Sequence, residues 1–396
     1  MLIIQSNRLR TGCYIPAILV LILITFCVYD GLAQSTGLKG FFEKRKKLKE
    51  ERIEAGLPFL SPMIGPGYTP DAGLVFAVGG LLSFKTNRYD TLIQRSSLPV
   101  TFLASTRGNI SFGAKLKSFW WKDKVRINVL AAYSDAMDDY FGVGYNNAVE
   151  IPKSDTTTLY NRQGWAFSPE FLYRIRANLY AGIMFNFNFT DAVETNPVME
   201  EDPTFVEFGP ENYNAGIGFS LQYDSRDIVV NAWKGIFANI AATFYTPGLG
   251  SDNSYQVVLL DLRHYRQLER KGKTIAFRYK GRFAYGDVPW AEMTKLGGSR
   301  ELRGYIKGQY RDVAGMHFTA EYRHMFLDHN QELSAHGFTA WVGTGTIFDG
   351  VDNIEKWLPN LGFGYRFEVQ PRMNLRIDIG IGRDSSGIYF DFTEAF

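Results

Sequence analysis

The amino-acid sequence predicts an all-β fold: a transmembrane antiparallel β-barrel of about sixteen strands. Composition is the first ground. Aromatic residues make up 15% of the 396 residues and glycine supplies 39 of them, while charged residues stay at 21% and mean hydropathy is −0.15. A polytopic helical membrane protein would be far more hydropathic, and a disordered chain less apolar. Periodicity is the second ground. From Gly73 onward apolar and polar residues alternate in runs of about 10–14, whereas strands of soluble proteins peak near 5–6. The third ground is what stands on the polar face. Arginine, lysine and aspartate recur there, and a packed sandwich core could bury them only in pairs. A wet lumen holds such residues while the apolar face meets lipid. No sheet edge survives in hydrocarbon, so strands of this kind must close on one another.

The elements follow in chain order. Residues 1–33 read as a secretory signal: Arg8 and Arg10 precede the apolar run Ile15–Val28, and Gly31-Leu32-Ala33 offers a small-x-small cleavage site. An uncleaved anchor helix is the alternative. Both cysteines, Cys13 and Cys27, fall in this segment, so the exported chain is expected to carry no thiol chemistry. Residues 34–70 form a short charged periplasmic helix and a linker. Lys44, Arg45, Lys46 and Lys47 alternate with Glu43, Glu50 and Glu51 over residues 39–54, and Gly56 and Pro58 end the helix. That helix is either simply solvated, a handle for a periplasmic or secreted client protein, a plug at the barrel mouth, or a contact with anionic outer-membrane lipids.

Residues 71–396 are the barrel, with its first strand near 72–86 and its last near 387–396. The clearest strand covers 211–225: Tyr213, Phe219, Leu221 and Tyr223 oppose Asn214, Ser220, Gln222 and Asp224. Over 373–382, Leu375, Ile377, Ile379 and Ile381 oppose Arg376 and Asp378. The fifth strand is placed at 139–146, where Tyr140-Phe141-Gly142-Val143-Gly144-Tyr145 is short and broken by glycine. Parity supports it, since termini on one side require an even number. This arrangement puts the long segments 192–210, 287–311 and 348–359 outside and tight turns such as Arg176-Ala177 inside. Glycines at 79, 80, 380, 382 and 387 would weaken a seam between first and last strands.

One loop carries more than fold. Leu296-Gly297-Gly298-Ser299-Arg300-Glu301-Leu302-Arg303-Gly304-Tyr305 follows the eleventh strand. Here the sequence resembles the BamA/TamA-type outer-membrane assembly superfamily, the bacterial surface antigen barrels. Further matches are Tyr223-Asp224-Ser225-Arg226-Asp227, Ile347-Phe348-Asp349-Gly350 and the closing segment through Phe396. The family carries proline where this chain has Ala232-Trp233. The resemblance implies that the loop folds back into the lumen, with Gly297, Gly298, Arg303, Gly304 and Tyr305 as its anchor and Glu321 and Asp349 as wall partners of Arg303. It also implies a terminal signal for assembly, in which Phe390, Phe392 and Phe396 share the lipid-facing register; Glu394 breaks the alternation. Members that insert other barrels carry POTRA domains ahead of the barrel, and residues 34–70 leave no room for one.

The remaining chemistry is sparse. His264, His317, His324, His329 and His336 make no metal spacing, and no nucleophile elbow, phosphate loop or dinucleotide fingerprint occurs. No metal, cofactor or catalytic residue is expected. A net charge of +2 disfavours a nucleic-acid partner. Arg278, Lys280, Arg282, Arg366 and Arg376 on the inner wall either attract anions or are simply solvated. The expected function is help with insertion, assembly or translocation of a protein or lipid at the outer membrane. A passive or gated pore and a structural surface barrel are the alternatives.

Overall fold

The computed structural model describes residues 48, 51–69, 73–90, 93–354 and 356–396. The signal segment 1–33 and most of the charged helix 39–54 lie outside the described residues. Residues 51–54 are helical and end at Gly56, whose φ of +68° suits a residue without Cβ. The chain divides into one compact unit up to Phe59 and a second from Leu60 to Phe396.

The strands are β1 (Phe59–Thr69), β2 (Gly73–Phe84), β3 (Ser96–Ser105), β4 (Ile110–Trp120), β5 (Val125–Asp139), β6 (Leu159–Arg176), β7 (Leu179–Glu194), β8 (Glu211–Asp224) and β9 (Gly235–Tyr245). They continue with β10 (Tyr255–Gln267), β11 (Lys273–Gly286), β12 (Thr294–Leu296), β13 (Tyr310–Asp312), β14 (Ala314–Leu327), β15 (Leu333–Phe348), β16 (Leu358–Gln370), β17 (Met373–Ile381) and β18 (Ser386–Phe392). All but β12 and β13 form one 16-stranded sheet in chain order, and those two make a separate ribbon. The resolved ladders between neighbours are antiparallel, as in Asp261↔Lys280 of β10 and β11 and Asp378↔Gly364 of β17 and β16. Among the described residues no ladder joins β1 to β18. The two strands touch at one place, where a Cβ on Gly65 would come 3.1 Å from the Phe390 ring.

Two of the expected strands need correction. The sheet begins with Phe59–Thr69, inside the stretch expected to be linker. Pro62, Gly65, Pro66 and Gly67 resemble a turn in sequence, yet proline and glycine are tolerated on a strand that ends the ladder order. Residues 139–146 do not form a strand. Asp139 ends β5, Gly142 and Gly144 take φ of +79° and +94°, and the chain continues into helix α1 (Tyr145–Glu150). The loss and the gain cancel, so the sheet still has sixteen members. Gly79 and Gly80 therefore sit in β2 rather than in the first strand.

The sheet is apolar outside and polar inside. In β8, Phe219 is 58% exposed while Ser220 is 6% and Asp224 5%. In β17, Ile377 and Ile379 are exposed while Arg376 and Asp378 are fully buried. A water-soluble fold reverses this order, because burying apolar surface is what stabilises it. A sheet in hydrocarbon has no such drive on its outer face.

Candidate functional site

The loop between β11 and β14 turns inward and covers the polar face of β14 to β17. Its stem is the β12–β13 ribbon, paired Thr294↔Asp312 through Leu296↔Tyr310. Its tip, residues 297–309, lies against the inner face of the last strands. The approach is close: a Cβ on Gly304 would stand 2.6 Å from the Gly382 nitrogen, and one on Gly380 would stand 2.7 Å from the Arg303 carbonyl carbon. Gly304 also has φ of +111°, so both conformation and contact demand glycine there. Gly297 and Gly298, with φ of +105° and +91°, turn the chain into the tip.

Arg303 is 1% exposed and is the centre of the site. Its Nη1 donates to Asp378 Oδ2 at 2.6 Å, its Nη2 donates to Glu321 Oε2, and its guanidinium lies 3.5 Å from the Trp341 ring centroid. Two carboxylates and an aromatic face therefore hold one planar cation, which a lysine could not match in geometry. The neighbouring backbone is held as well. The Arg303 carbonyl accepts from Asn360 at 2.7 Å, and the Gly304 amide donates to the Tyr389 hydroxyl at 3.0 Å. The Tyr305 hydroxyl donates to the Pro359 carbonyl at 2.8 Å. Ser299 and Arg300 reach Asp391 of β18, the latter at 2.8 Å. Burial alone would push the Glu301 carboxyl up, but the Lys280 ammonium outweighs it and holds that carboxyl below its ordinary range.

Asp349, expected to pair with Arg303, does not. It accepts from Asn353 Nδ2 at 2.9 Å within its own turn. Asp378 takes its place and also receives Arg366 and Arg376, each at 2.6 Å. Glu321 also receives Arg323 at 2.7 Å. A buried charge left without a partner costs several kcal/mol, so such a lattice holds only when complete.

The C-terminus also departs from expectation. Thr393 takes φ of +65° and turns the chain off β18 into the interior. Glu394 is bound by Arg366 at 2.9 Å and Asn374 at 2.7 Å. Phe396 is buried against Ala232, Tyr265 and Ala276, and its carbonyl oxygen accepts from Arg323 at 2.9 Å. It does not stand in the outward register expected of it. Phe390 is half-buried and lies beside Gly65, and Phe392 is the last residue of β18.

At the long-loop end, a cluster of Tyr140, Tyr160, Met199, Phe205 and Trp290 packs over the interior. Helices α2 (Pro197–Glu201) and α3 (Pro203–Phe208), capped by the side chains of Asn196 and Asp202, supply part of it. At the tight-turn end, the segment 226–234 reaches two distant turns. Arg372 of the β16–β17 turn donates to Asp227 at 3.1 Å and to the Asn231 carbonyl at 3.0 Å, and stacks 3.5 Å from the Trp233 ring. The Val229 amide donates to Gln94 of the β2–β3 turn.

Several other cations of the inner face are paired. Arg126 meets Asp224 at 2.7 Å, Arg278 meets Asp261 at 2.9 Å, Arg162 meets Asp138 at 3.4 Å and Arg282 meets Glu292 at 3.7 Å. Among the described residues no cluster of His, Cys, Asp and Glu is arranged to hold a metal ion.

The Omp85 superfamily domain matches residues 95–385 of the chain. The chain belongs to the Omp85 superfamily. No relative is found among curated proteins. Solved structures that share the fold include BamA from Haemophilus ducreyi lacking POTRA domains 1–3, with a TM-score of 0.53 and 16% identity over 85% of this chain and 69% of that one. CdiB from Acinetobacter baumannii matches with a TM-score of 0.51 and 11% identity over 85% of this chain, which spans only 59% of that protein. CdiB from Escherichia coli matches with a TM-score of 0.53 and 10% identity over 84% of this chain and 67% of that one. This Omp85 chain is thus an outer-membrane β-barrel protein of a family whose members assemble or transport other molecules. Omp85 membership agrees with the inverted burial of the sheet and with the inward loop.

Proposed function

We propose that this Omp85 protein helps insert, assemble or translocate a protein or lipid at the outer membrane, by parting β1 from β18. One observation carries the reading: the loop tip is bound to the last two strands. Gly304 rests on Gly380 and Gly382, Arg303 on Asp378, and Arg300 on Asp391, so moving the tip moves the strands that border the seam. The aromatic cluster over the long-loop end supports this reading over a standing pore. In the same reading residues 1–33 direct export, and the 39–54 helix meets the client in the periplasm.

A disulfide across the seam tests it. Cys13 and Cys27 are the only native cysteines, and both lie in the proposed signal. The pair Gly65→Cys and Phe390→Cys, oxidised, should stop the protein from accelerating insertion of a urea-unfolded eight-stranded barrel into phosphatidylethanolamine–phosphatidylglycerol vesicles. Reduction should restore it. Full activity in the locked form would exclude lateral opening.

A further inference from the structure

The polar face of the sheet is unevenly covered. The inner faces of β10 to β17 are buried under the loop and the C-terminal residues, whereas those of β4 to β7 are largely half-buried or exposed. A cavity of about 320 Å³ lies on that emptier side, lined by Ser134, Ser168, Asn186, Asn188 and, from the loop, Glu292. Leu130 also lines it and is the ladder partner of Lys115.

Lys115 and Lys117 sit two residues apart on β4, and both point to the inner face, about 7 Å from each other along the strand. Neither meets a carboxylate among the described residues. Asp224, near Lys117, is already held by Arg126 and Arg226, and Glu170, ladder partner of the Asn128 that stands opposite Lys117, is bound by Asn128 and Ser220. Arg263, Arg278, Lys280 and Arg300 stand around Lys115, each with a carboxylate of its own: Asp261 for the first two, Glu301 and Asp391 for the others. Two inward lysines without an ion-pair partner attract anions.

We infer that Lys115 and Lys117 form the cationic end of a binding site for a phosphate-type oxyanion, with the hydroxyl and amide groups of the adjoining cavity as neutral donors. Lysine serves phosphate as a point charge, and two at this spacing suit a ligand with two phosphoryl groups or one multiply charged group. Free phosphate and a phospholipid headgroup present the same chemistry. The assignment does not depend on lateral opening.

The test uses the full chain in neutral detergent at ~0.15 M salt, where weak long-range attraction is screened. Pyrophosphate titrated by calorimetry should bind saturably. K115Q/K117Q should weaken it by about tenfold or more, while K122Q/K124Q, which removes the same charge from the β4–β5 turn, should not. In parallel, the protein is delipidated from phosphatidylglycerol vesicles, and retained lipid is counted by phosphorus assay. Lipid retention that K115Q/K117Q abolishes, without pyrophosphate binding, would support the site and assign it to a headgroup. Equal behaviour of wild type and K115Q/K117Q with both probes would overturn it, as would equal loss in the control. Unchanged heat-shifted gel mobility verifies that each variant is folded.

Discussion

Arg303 illustrates how the cost of a substitution depends on what it strands. Arg303→Ala removes one cation from Asp378, which keeps Arg366 and Arg376, and one from Glu321, which keeps Arg323. It also empties the space over Trp341. Asp378→Asn strips the shared carboxylate from three arginines at once. Breaking a buried pair costs about 3–5 kcal/mol, so Arg303→Ala belongs at the lower end of that range and Asp378→Asn at or above the upper. The temperature at which the folded band disappears on semi-native gels should fall in both, and further in Asp378→Asn. An unchanged Arg303→Ala transition would show that the clamp contributes nothing to the fold. Part of this site was legible in sequence. The loop motif located Arg303, and the strand after it located Glu321. The third member was misassigned because the meeting of Arg303 with Asp378 depends on how β14 and β17, three places apart in the sheet, face each other across it. Alternation along a strand carries no such information. Asp349 satisfied the motif but lies in a turn that uses it locally.

At the scale of elements, the two departures from expectation have different causes. Segment 59–69 reads as linker, although its prolines and glycines are tolerated on a strand that ends the ladder order; segment 139–146 reads as a strand with parity in support, and its glycines at 142 and 144 take positive φ and turn the chain instead. The alternating runs over 211–225 and 373–382, in β8 and β17, were read correctly because burial on one side imposes the period on every residue. The segment 226–234 shows the limit of local reading from another side. Its family motif was visible, but nothing in the sequence linked Trp233 to Arg372, 139 positions away. That link predicts a measurable local effect. Trp233→Ala and Arg372→Ala should each cost about 1–2 kcal/mol, from a partly buried ion pair and a cation–π contact. Hydrogen exchange should speed up over 226–234 with little change in the sheet. Unaltered exchange there in both variants would mean that the clip does not order the segment.

For the whole molecule, the two ends and the two halves of the interior have different tasks. The half beneath β10 to β17 is occupied by the loop and the C-terminal residues, so it is held by charges; the half beneath β4 to β7 keeps a polar cavity. An aromatic cluster packs at the long-loop end. Trp290 is its keystone: it is wholly buried, its Nε1 donates to the Gly209 carbonyl at 2.8 Å, and its ring lies 5.9 Å from both Tyr140 and Tyr160 and 5.3 Å from Phe205. Truncating a buried aromatic costs about 3–5 kcal/mol and leaves a void. Here the void would lie at the long-loop end, and its rim includes the polar groups of Arg311 and Tyr140, so water and ions would enter it. Trp290→Ala should therefore raise single-channel conductance in planar bilayers well above the wild-type level. Phe205→Leu, which keeps the cluster filled, should leave conductance unchanged. Equal conductance of Trp290→Ala and wild type would place the barrier elsewhere, in the loop tip or at the 226–234 segment, and the seam would then have to be tested without assuming a sealed interior.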